Sequence, residues 1–303
     1  MIITAFLGMC FAWSFSWFAI KLQSNSFIEP ELSTFYRFLL TSILMIIICK
    51  ISKQRCLIKK SELKLLSIIG LTNFSLNFLI GYFAVKFIAS GIVAMIFSLS
   101  ILTSEIISAI FNKHKIKKKI IISSIVGFIG LSIFILPSIN FNNNNDNDFL
   151  IGLALSILMM IIYSFGTVLV GINKKVNNTP LYTTITYCSG FGTIFLLVIN
   201  LVKNNNFTID YSLSYLGSLF YLVFISTILA FICLFYLIQK IGSTRANYTA
   251  LIYPIIAIIT SMFLENLKLN LVSVIGILMI ISAIAIEFFY NPKLLKYNII
   301  SNK

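Results

Sequence analysis

The chain has 303 residues, of which 59% are apolar and only 11% are charged. Water-soluble domains average about half apolar and a quarter charged residues, so this composition excludes a soluble globular enzyme and a disordered or collagenous chain. The net charge of +14 would suit nucleic acid, but the basic residues lie between the apolar segments. We therefore expect a lipid bilayer as a partner and no nucleic acid.

Ten runs of apolar and small residues follow one another along the chain, separated by polar clusters. Each run is too long for a strand of a membrane barrel and lacks alternation of polar and apolar residues, so helices are predicted. The predicted spanning helices cover residues 2–20, 33–50, 65–85, 88–111, 120–138, 150–172, 180–202, 212–238, 243–264 and 272–290.

The connections between these helices differ strongly in basic charge. The connections after the even-numbered helices, together with the C-terminal tail, hold 18 Lys and Arg residues, and the other connections hold 4. Basic residues resist translocation across the membrane, so the sequence predicts that both termini are cytoplasmic. Metal and redox sites are not expected, because the single histidine, His114, lies in a basic run and the cysteine spacing fits no metal motif. No cofactor is predicted.

The two halves of the chain show a weak internal repeat at an offset of 154 residues. Tyr82 and Lys86 fall on Tyr236 and Lys240, and each pair precedes a short turn into the next helix. Lys86 is predicted outside and Lys240 inside, as an inverted repeat requires. We therefore predict a first repeat over 1–139, an Asn-rich external linker over 140–149, a second repeat over 150–291 and a cytoplasmic tail over 292–303.

Several segments resemble the drug/metabolite transporter superfamily, in its EamA-type branch. The resemblance rests on residues 13–16, residues 36–38, the turn at 82–91 and the run 236–276, which contains Pro254 and Glu265. Two positions depart from the family pattern: Ser100 replaces a proline in the fourth helix, and that helix ends in Phe111 and Asn112 without a glutamate. The resemblance implies an all-α membrane protein of ten transmembrane helices in two inverted five-helix repeats.

Ionisable residues within spans are functional candidates, because a charge is costly inside the bilayer. Glu105 lies deep in the fourth span among Ser and Thr residues, and is a candidate for a proton, a cation or a substrate amine. The alternatives are a structural carboxylate that is hydrogen-bonded to a neighbouring helix, or one that lies near enough to the cytoplasmic end to reach water. Arg37 is interpreted mainly as a gating or structural ion pair, with a substrate carboxylate or the membrane interface as alternatives. Glu265 is expected to be a capped, solvated carboxylate at the outer face.

Uncharged polar and aromatic side chains complete the predicted substrate site. Asn73 and Asn77 are four residues apart and are expected to share one helical face, and Pro254 is expected to kink the ninth helix. Interface belts or helix packing are the alternatives for the aromatic and amide residues. The predicted substrate-binding residues are Trp13, Ser14, Trp17, Asn73, Asn77, Glu105, Tyr163, Asn247, Tyr248 and Tyr253; the predicted gating or structural residues are Arg37, Pro254 and Glu265.

The leading functional hypothesis is a secondary transporter of the bacterial cytoplasmic membrane, not an enzyme. It would move a small-molecule substrate, most simply an amino acid or related metabolite, by alternating access. A phosphate-binding loop for ATP is absent from the sequence. The alternatives are a membrane-embedded enzyme or flippase acting on lipid or a lipid-linked sugar, and a channel. The sequence leaves the oligomeric state open.

Overall fold

The computed structural model describes residues 1–55, 57–113, 116, 118–138, 146–176 and 178–289. The predicted tail at 292–303, His114 and most of the predicted linker at 140–149 lie outside the described residues. Every regular element in the described part of the chain is helical. The main helices are α1 (Ile2–Ser24), α2 (Pro30–Ile51), α3 (Lys60–Phe87), α4 (Ser90–Phe111), α5 (Lys118–Ile135), α6 (Asp146–Val176), α7 (Leu181–Val202), α8 (Leu213–Ile241), α9 (Asn247–Leu264) and α10 (Leu271–Phe289).

Eight of the helices in the described residues are long and apolar enough to cross a membrane, and the fifth and tenth contain shorter apolar helices at Ile120–Ile135 and Leu271–Ala283. Each predicted segment falls on one of these helices, although the predicted limits differ from the observed ones by several residues. The fifth segment was expected to be helical to residue 138. In the structure its α-helix ends at Ile135 and one 3₁₀ turn, Leu136–Ser138, follows.

Helix interruptions occur at matching places in the two halves. Helix α3 contains a π-helical segment at Thr72–Leu76, and α8 contains one at Tyr221–Leu229; these segments overlap at the 154-residue offset. Helix α4 is interrupted at Leu99, and α9 begins as a 3₁₀ helix, turns at Ile252 and continues as an α-helix. Irregular backbone at membrane depth is tolerated only inside protein or along a cavity, so these breaks are expected to face the interior of the bundle rather than lipid.

The helix pairing has the same symmetry. Three helices pack on their equivalents in the other half: α2 on α7, α4 on α9 and α5 on α10. The remaining two pairs are equivalent to each other, since α3 packs on α6 and α8 packs on α1. Small residues permit the closest approaches: a Cβ at Gly276 would lie 2.4 Å from the Phe134 nitrogen, and one at Gly192 would lie 2.7 Å from the Phe74 oxygen. Interfaces built on small residues are typical of packing between membrane helices.

The N-termini of α2 and α7 also share a local structure. Pro30 begins α2 and Pro180 immediately precedes α7, where the missing N–H of proline costs no helical hydrogen bond. The hydroxyl of Thr34 donates to the Pro30 carbonyl at 2.6 Å, and the hydroxyl of Thr184 donates to the Pro180 carbonyl at 2.9 Å. A threonine four residues after the proline therefore gives the same side-chain hydrogen bond in both halves.

Candidate functional site

A cavity of about 470 Å³ lies at one end of the bundle, between the C-terminal parts of α4, α6 and α8 and the start of α9. We call it the inner vestibule. Asn112 and Gly242 at its mouth are exposed, whereas Tyr248 is 1% exposed. Its polar lining residues are Glu105, Ser108, Asn112, Lys174, Gln239, Ser243, Arg245 and Tyr248, and its apolar lining residues include Val168, Ile172 and Ile238.

The charges of the inner vestibule have both signs. Glu105 brings a carboxylate from α4, whereas Lys174 and Arg245 bring basic groups from α6 and from the turn before α9. All three side chains are half-buried, where charge interactions are stronger than in bulk water. A cavity lined by both an acid and bases can bind a zwitterionic solute through its two charged groups.

Three buried polar side chains from both halves of the chain lie next to the inner vestibule. The Tyr163 hydroxyl of α6 donates to Asn247 Oδ1 at 3.1 Å, and Asn247 Nδ2 donates to Ser104 Oγ of α4 at 3.0 Å. Ser104 and Asn247 immediately precede the lining residues Glu105 and Tyr248. Nearby, the Ser164 hydroxyl donates to the Ser100 carbonyl at 3.2 Å, beside the break in α4. These bonds join α6 and α9 to α4.

Aromatic rings pack around Tyr163. The Trp13 ring lies edge-on to Tyr163 and Tyr253, with centroids 5.8 and 5.7 Å away, and Phe97 lies 4.6 Å from Tyr163. Trp17 packs on Phe97 at 5.3 Å, and Trp13 Nε1 donates to the Ser226 carbonyl at 3.2 Å. We call these five rings the aromatic layer; it contains residues from α1, α4, α6 and α9 and so joins the two halves.

Hydrogen bonds and charge contacts close the end of the bundle opposite the inner vestibule, where α1 and α3 end and α4 begins. The Tyr82 hydroxyl donates to Gln23 Oε1 at 2.5 Å, and Lys21 Nζ donates to the Val85 carbonyl. Glu265, at the end of α9, accepts from the Ser90 backbone N–H at 2.9 Å and from the Ser90 hydroxyl. Glu265 is half-buried and binds the N-terminus of α4, where a negative charge is favoured. The predicted solvated carboxylate is thus a contact between the two halves.

Arg37 lies fully buried in α2. Its Nε donates to Thr227 Oγ1 at 2.8 Å, its Nη2 donates to Ser226 Oγ at 3.2 Å, and its guanidinium lies 4.3 Å from the Phe78 ring centroid. Among the described residues, no Asp or Glu forms a salt bridge with it. The predicted ion pair is therefore wrong for the described part of the chain: hydroxyl groups of the α8 π-helix and aromatic rings replace the acid.

The predicted substrate residues separate into three groups, two of which lie in or beside the inner vestibule. Glu105 and Tyr248 line the inner vestibule, while Asn247, Tyr163, Trp13, Trp17 and Tyr253 lie in the neighbouring hydrogen bonds and the aromatic layer.

The other predicted residues do not line this cavity. Ser14 donates to the Cys10 carbonyl of its own helix at 2.7 Å, and Asn73 Nδ2 lies 3.4 Å from Thr167 Oγ1. Asn73 is in the π-helical segment that Asn77 follows, so the regular α-helical face that was expected for the two amides is interrupted. Helix α9 is interrupted at Ile252, and Pro254 lies in the first turn of the α-helix that follows this break.

Sequence reasoning missed several lining residues. Lys174 and Arg245 were counted only as basic residues of cytoplasmic connections, although both line the inner vestibule. Ser108 and Asn112 follow Glu105 by three and seven residues, a spacing that places all three on one helical face. This spacing can be read from the sequence, and it extends the predicted polar face of α4 to the C-terminus of the helix.

The comparisons with known proteins agree with this architecture. A family model, the EamA-like transporter family, matches residues 1–136 and 150–289. A protein of Buchnera aphidicola subsp. Schlechtendalia chinensis, described as an uncharacterized transporter in the trpA 3' region, is 26% identical over 291 residues, which cover 95% of this chain and 93% of that protein. The uncharacterized transporter YyaM of Bacillus subtilis is 24% identical, over 87% of this chain and 86% of that protein.

A solved crystal structure has the same fold. It superposes with a TM-score of 0.67 at 14% sequence identity, and the match covers 97% of this chain and 98% of the solved chain. At this identity the likeness concerns the fold alone. The apolar helices and the family match together identify a multi-pass membrane protein.

Proposed function

We propose that this chain, which belongs to the EamA-like transporter family, is a secondary transporter that moves a small zwitterionic metabolite, such as an amino acid, by alternating access. The observation that carries the proposal is the inner vestibule, which has charges of both signs and lies beside hydrogen bonds that join the two halves. The described part of the chain has its basic clusters near this end. The positive-inside rule therefore supports a cytoplasmic mouth, in a bacterial cytoplasmic membrane, with both termini on the same side.

The helix breaks and the contacts between equivalent helices support an alternating-access mechanism. Ten spanning helices in two inverted five-helix repeats would rock about the α2–α7 and α5–α10 contacts, which pair equivalent helices. In the structure the vestibule end is open, while Tyr82, Lys21 and Glu265 close the opposite end. Under the proposed mechanism and orientation, this arrangement would be an inward-facing state. Opening the other end requires breaking the Glu265–Ser90 contact while the vestibule closes.

Uptake into proteoliposomes containing the purified protein tests the substrate. Radiolabelled amino acids, nucleosides, sugars and organic amines are compared, with protein-free liposomes as the control. We expect saturable accumulation confined to zwitterions, and competition among them. Uptake confined to sugars or nucleosides would contradict the proposed substrate class. Translocation of a fluorescent phospholipid without solute uptake would support the flippase alternative.

The sidedness of the vestibule is tested by cysteine labelling. A Ser108→Cys variant is treated with a membrane-impermeant maleimide in right-side-out and inside-out vesicles, and the unsubstituted chain corrects for the native cysteines. We expect labelling of the introduced thiol in inside-out vesicles, and protection by a transported solute. Labelling only from the periplasmic side would contradict the proposed orientation.

A further inference from the structure

A group of fully buried hydrogen-bond donors lies away from the inner vestibule, where α1, α2 and α3 meet α8. Arg37, Gln23 and Tyr82 each have 0% of their surface exposed. Arg37 Nη1 and Gln23 Nε2 have no hydrogen-bond partner. The Tyr82 hydroxyl connects the two groups, since it donates to Gln23 Oε1 at 2.5 Å and lies beside the Arg37 guanidinium.

The charge of Arg37 has no compensating acid in the described residues. The nearby Glu265 contacts Ser90 and interacts with Lys21, and Glu31 pairs with Lys203. The hydroxyls that Arg37 does contact are neutral, and Thr227 Oγ1 donates onward to the Leu222 carbonyl at 2.6 Å. The Phe78 ring stabilises a cation only partly. Buried charges in proteins are normally paired, so a buried guanidinium whose described partners are all uncharged favours an anionic ligand.

We propose that Arg37, Gln23 and Tyr82 form a buried binding site for a small anionic group, either the carboxylate of a transported solute or an inorganic monovalent anion. The unpartnered N–H groups of Arg37 and Gln23 would both donate to it, and charge-assisted hydrogen bonds are the strong ones. The assignment of the carboxylate to a transported solute rests on the proposed function; the anion site itself does not.

The position of the site gives it a role in the transport cycle. Gln23 belongs to the closed end of α1, and Arg37 bonds the π-helical segment of α8 in the other half. An anion that bound these donors would compete with, or add to, the contact between α2 and α8. Because the Gln23–Tyr82 bond is one of the contacts that close this end, an anion bound to these side chains would change the stability of the closed end.

Thermal unfolding of the purified full-length protein in detergent tests the site. Sodium acetate, glycine and sodium bromide are titrated at constant ionic strength, with bulky isethionate as the balancing anion. A ligand that binds only the native state raises the unfolding midpoint in a saturable manner. A saturable rise with acetate and glycine identifies a carboxylate site, and one with bromide alone identifies an inorganic anion. No saturable rise with any of the three would overturn the proposal.

Matched variants locate the site. Arg37→Gln should abolish the anion-dependent rise, and Gln23→Met should weaken it about tenfold, the value of one hydrogen bond to a charged group. Lys86→Gln, which removes an exposed cation, should leave it unchanged. If Arg37→Gln does not fold, an unaltered anion affinity in Gln23→Met would still contradict the site.

Anion binding without solute uptake would contradict the proposed function alone, and uptake without anion binding would contradict this site alone.

Discussion

Glu105 brings an acidic side chain to a cavity whose charged neighbours are basic. It lines the inner vestibule together with Lys174 and Arg245, and its neighbour Ser104 accepts the Asn247 amide. A carboxylate in this position can bind the amine of a zwitterion while the bases bind its carboxylate. At the scale of single residues, then, substrate affinity should depend on charge more than on shape.

Replacing Glu105 with glutamine keeps the size of the side chain but removes its charge. We expect the substrate Kd to rise about tenfold, because a hydrogen bond to a charged group contributes about 1.5–3 kcal/mol. The measurement is ligand binding by isothermal titration calorimetry, with the zwitterion found in the uptake screen. Glu29→Gln, at an exposed position, serves as the control. If binding and transport by the Glu105→Gln variant were unchanged across pH, the proposed role of Glu105 in binding the substrate amine would be wrong.

Tyr163 tests the hydrogen bonds beside the vestibule. Tyr163→Phe leaves Asn247 Oδ1 without its donor, and Asn247 is only 2% exposed. An unsatisfied buried acceptor costs about 1–3 kcal/mol, so we expect a lower midpoint of thermal unfolding. Tyr211→Phe is the matched control, because Tyr211 is 80% exposed. Equal midpoints for the two variants would show that the hydrogen bond adds no stability.

At the scale of helices, the breaks in α3, α4, α8 and α9 surround the centre of the bundle, whereas the contacts between α5 and α10 are built on small residues. Gly276 of α10 approaches the backbone of α5 at Phe134 and Gly130. Broken helices expose backbone groups that a ligand or a moving helix can use. The α5–α10 pair, in contrast, depends on close and uninterrupted backbone packing.

Gly276→Ala should therefore weaken the α5–α10 contact. The added Cβ would meet the Phe134 nitrogen at 2.4 Å and the Gly130 oxygen at 2.7 Å, and these backbone atoms cannot rotate away as a side chain can. Overpacking of this kind costs about 1–3 kcal/mol, measurable as a lower unfolding midpoint. Gly217→Ala in α8, where a Cβ meets nothing within 4 Å, should be neutral or slightly stabilising. A neutral Gly276→Ala would mean that the two helices separate at little cost.

At the scale of the whole molecule, the two ends differ. The vestibule end holds a cavity, and the opposite end is closed partly by the Glu265–Ser90 contact between the halves. If the molecule alternates between two states, each closing contact stabilises one of them. A change at one end should then alter accessibility at the other.

Glu265→Gln removes the negative charge at the N-terminus of α4 while retaining an acceptor oxygen. Such contacts contribute about 1 kcal/mol, so we expect the population of the state with an open vestibule to fall roughly fivefold relative to the other state. Maleimide labelling of Ser108→Cys in inside-out vesicles should slow accordingly. Asp210→Asn is the control, because Asp210 accepts only from the nearby Ser212 N–H, at 2.8 Å, in the hydrogen bonds described. An unchanged labelling rate would mean that Glu265 does not control the equilibrium.

The sequence by itself determined where helices form, because runs of apolar residues are local and long, and it determined the family through motifs such as residues 36–38 and 246–254. It also identified Glu105, Tyr163 and Asn247 as candidates, since polar groups in apolar segments are conspicuous. Only the tertiary structure showed that Asn247 bonds Tyr163 and Ser104, and that Lys174 and Arg245 line the inner vestibule. It also decided that Arg37 contacts hydroxyls instead of an acid. These facts depend on distances between helices up to about 190 residues apart in sequence, and local pattern contains no information on which helical faces meet.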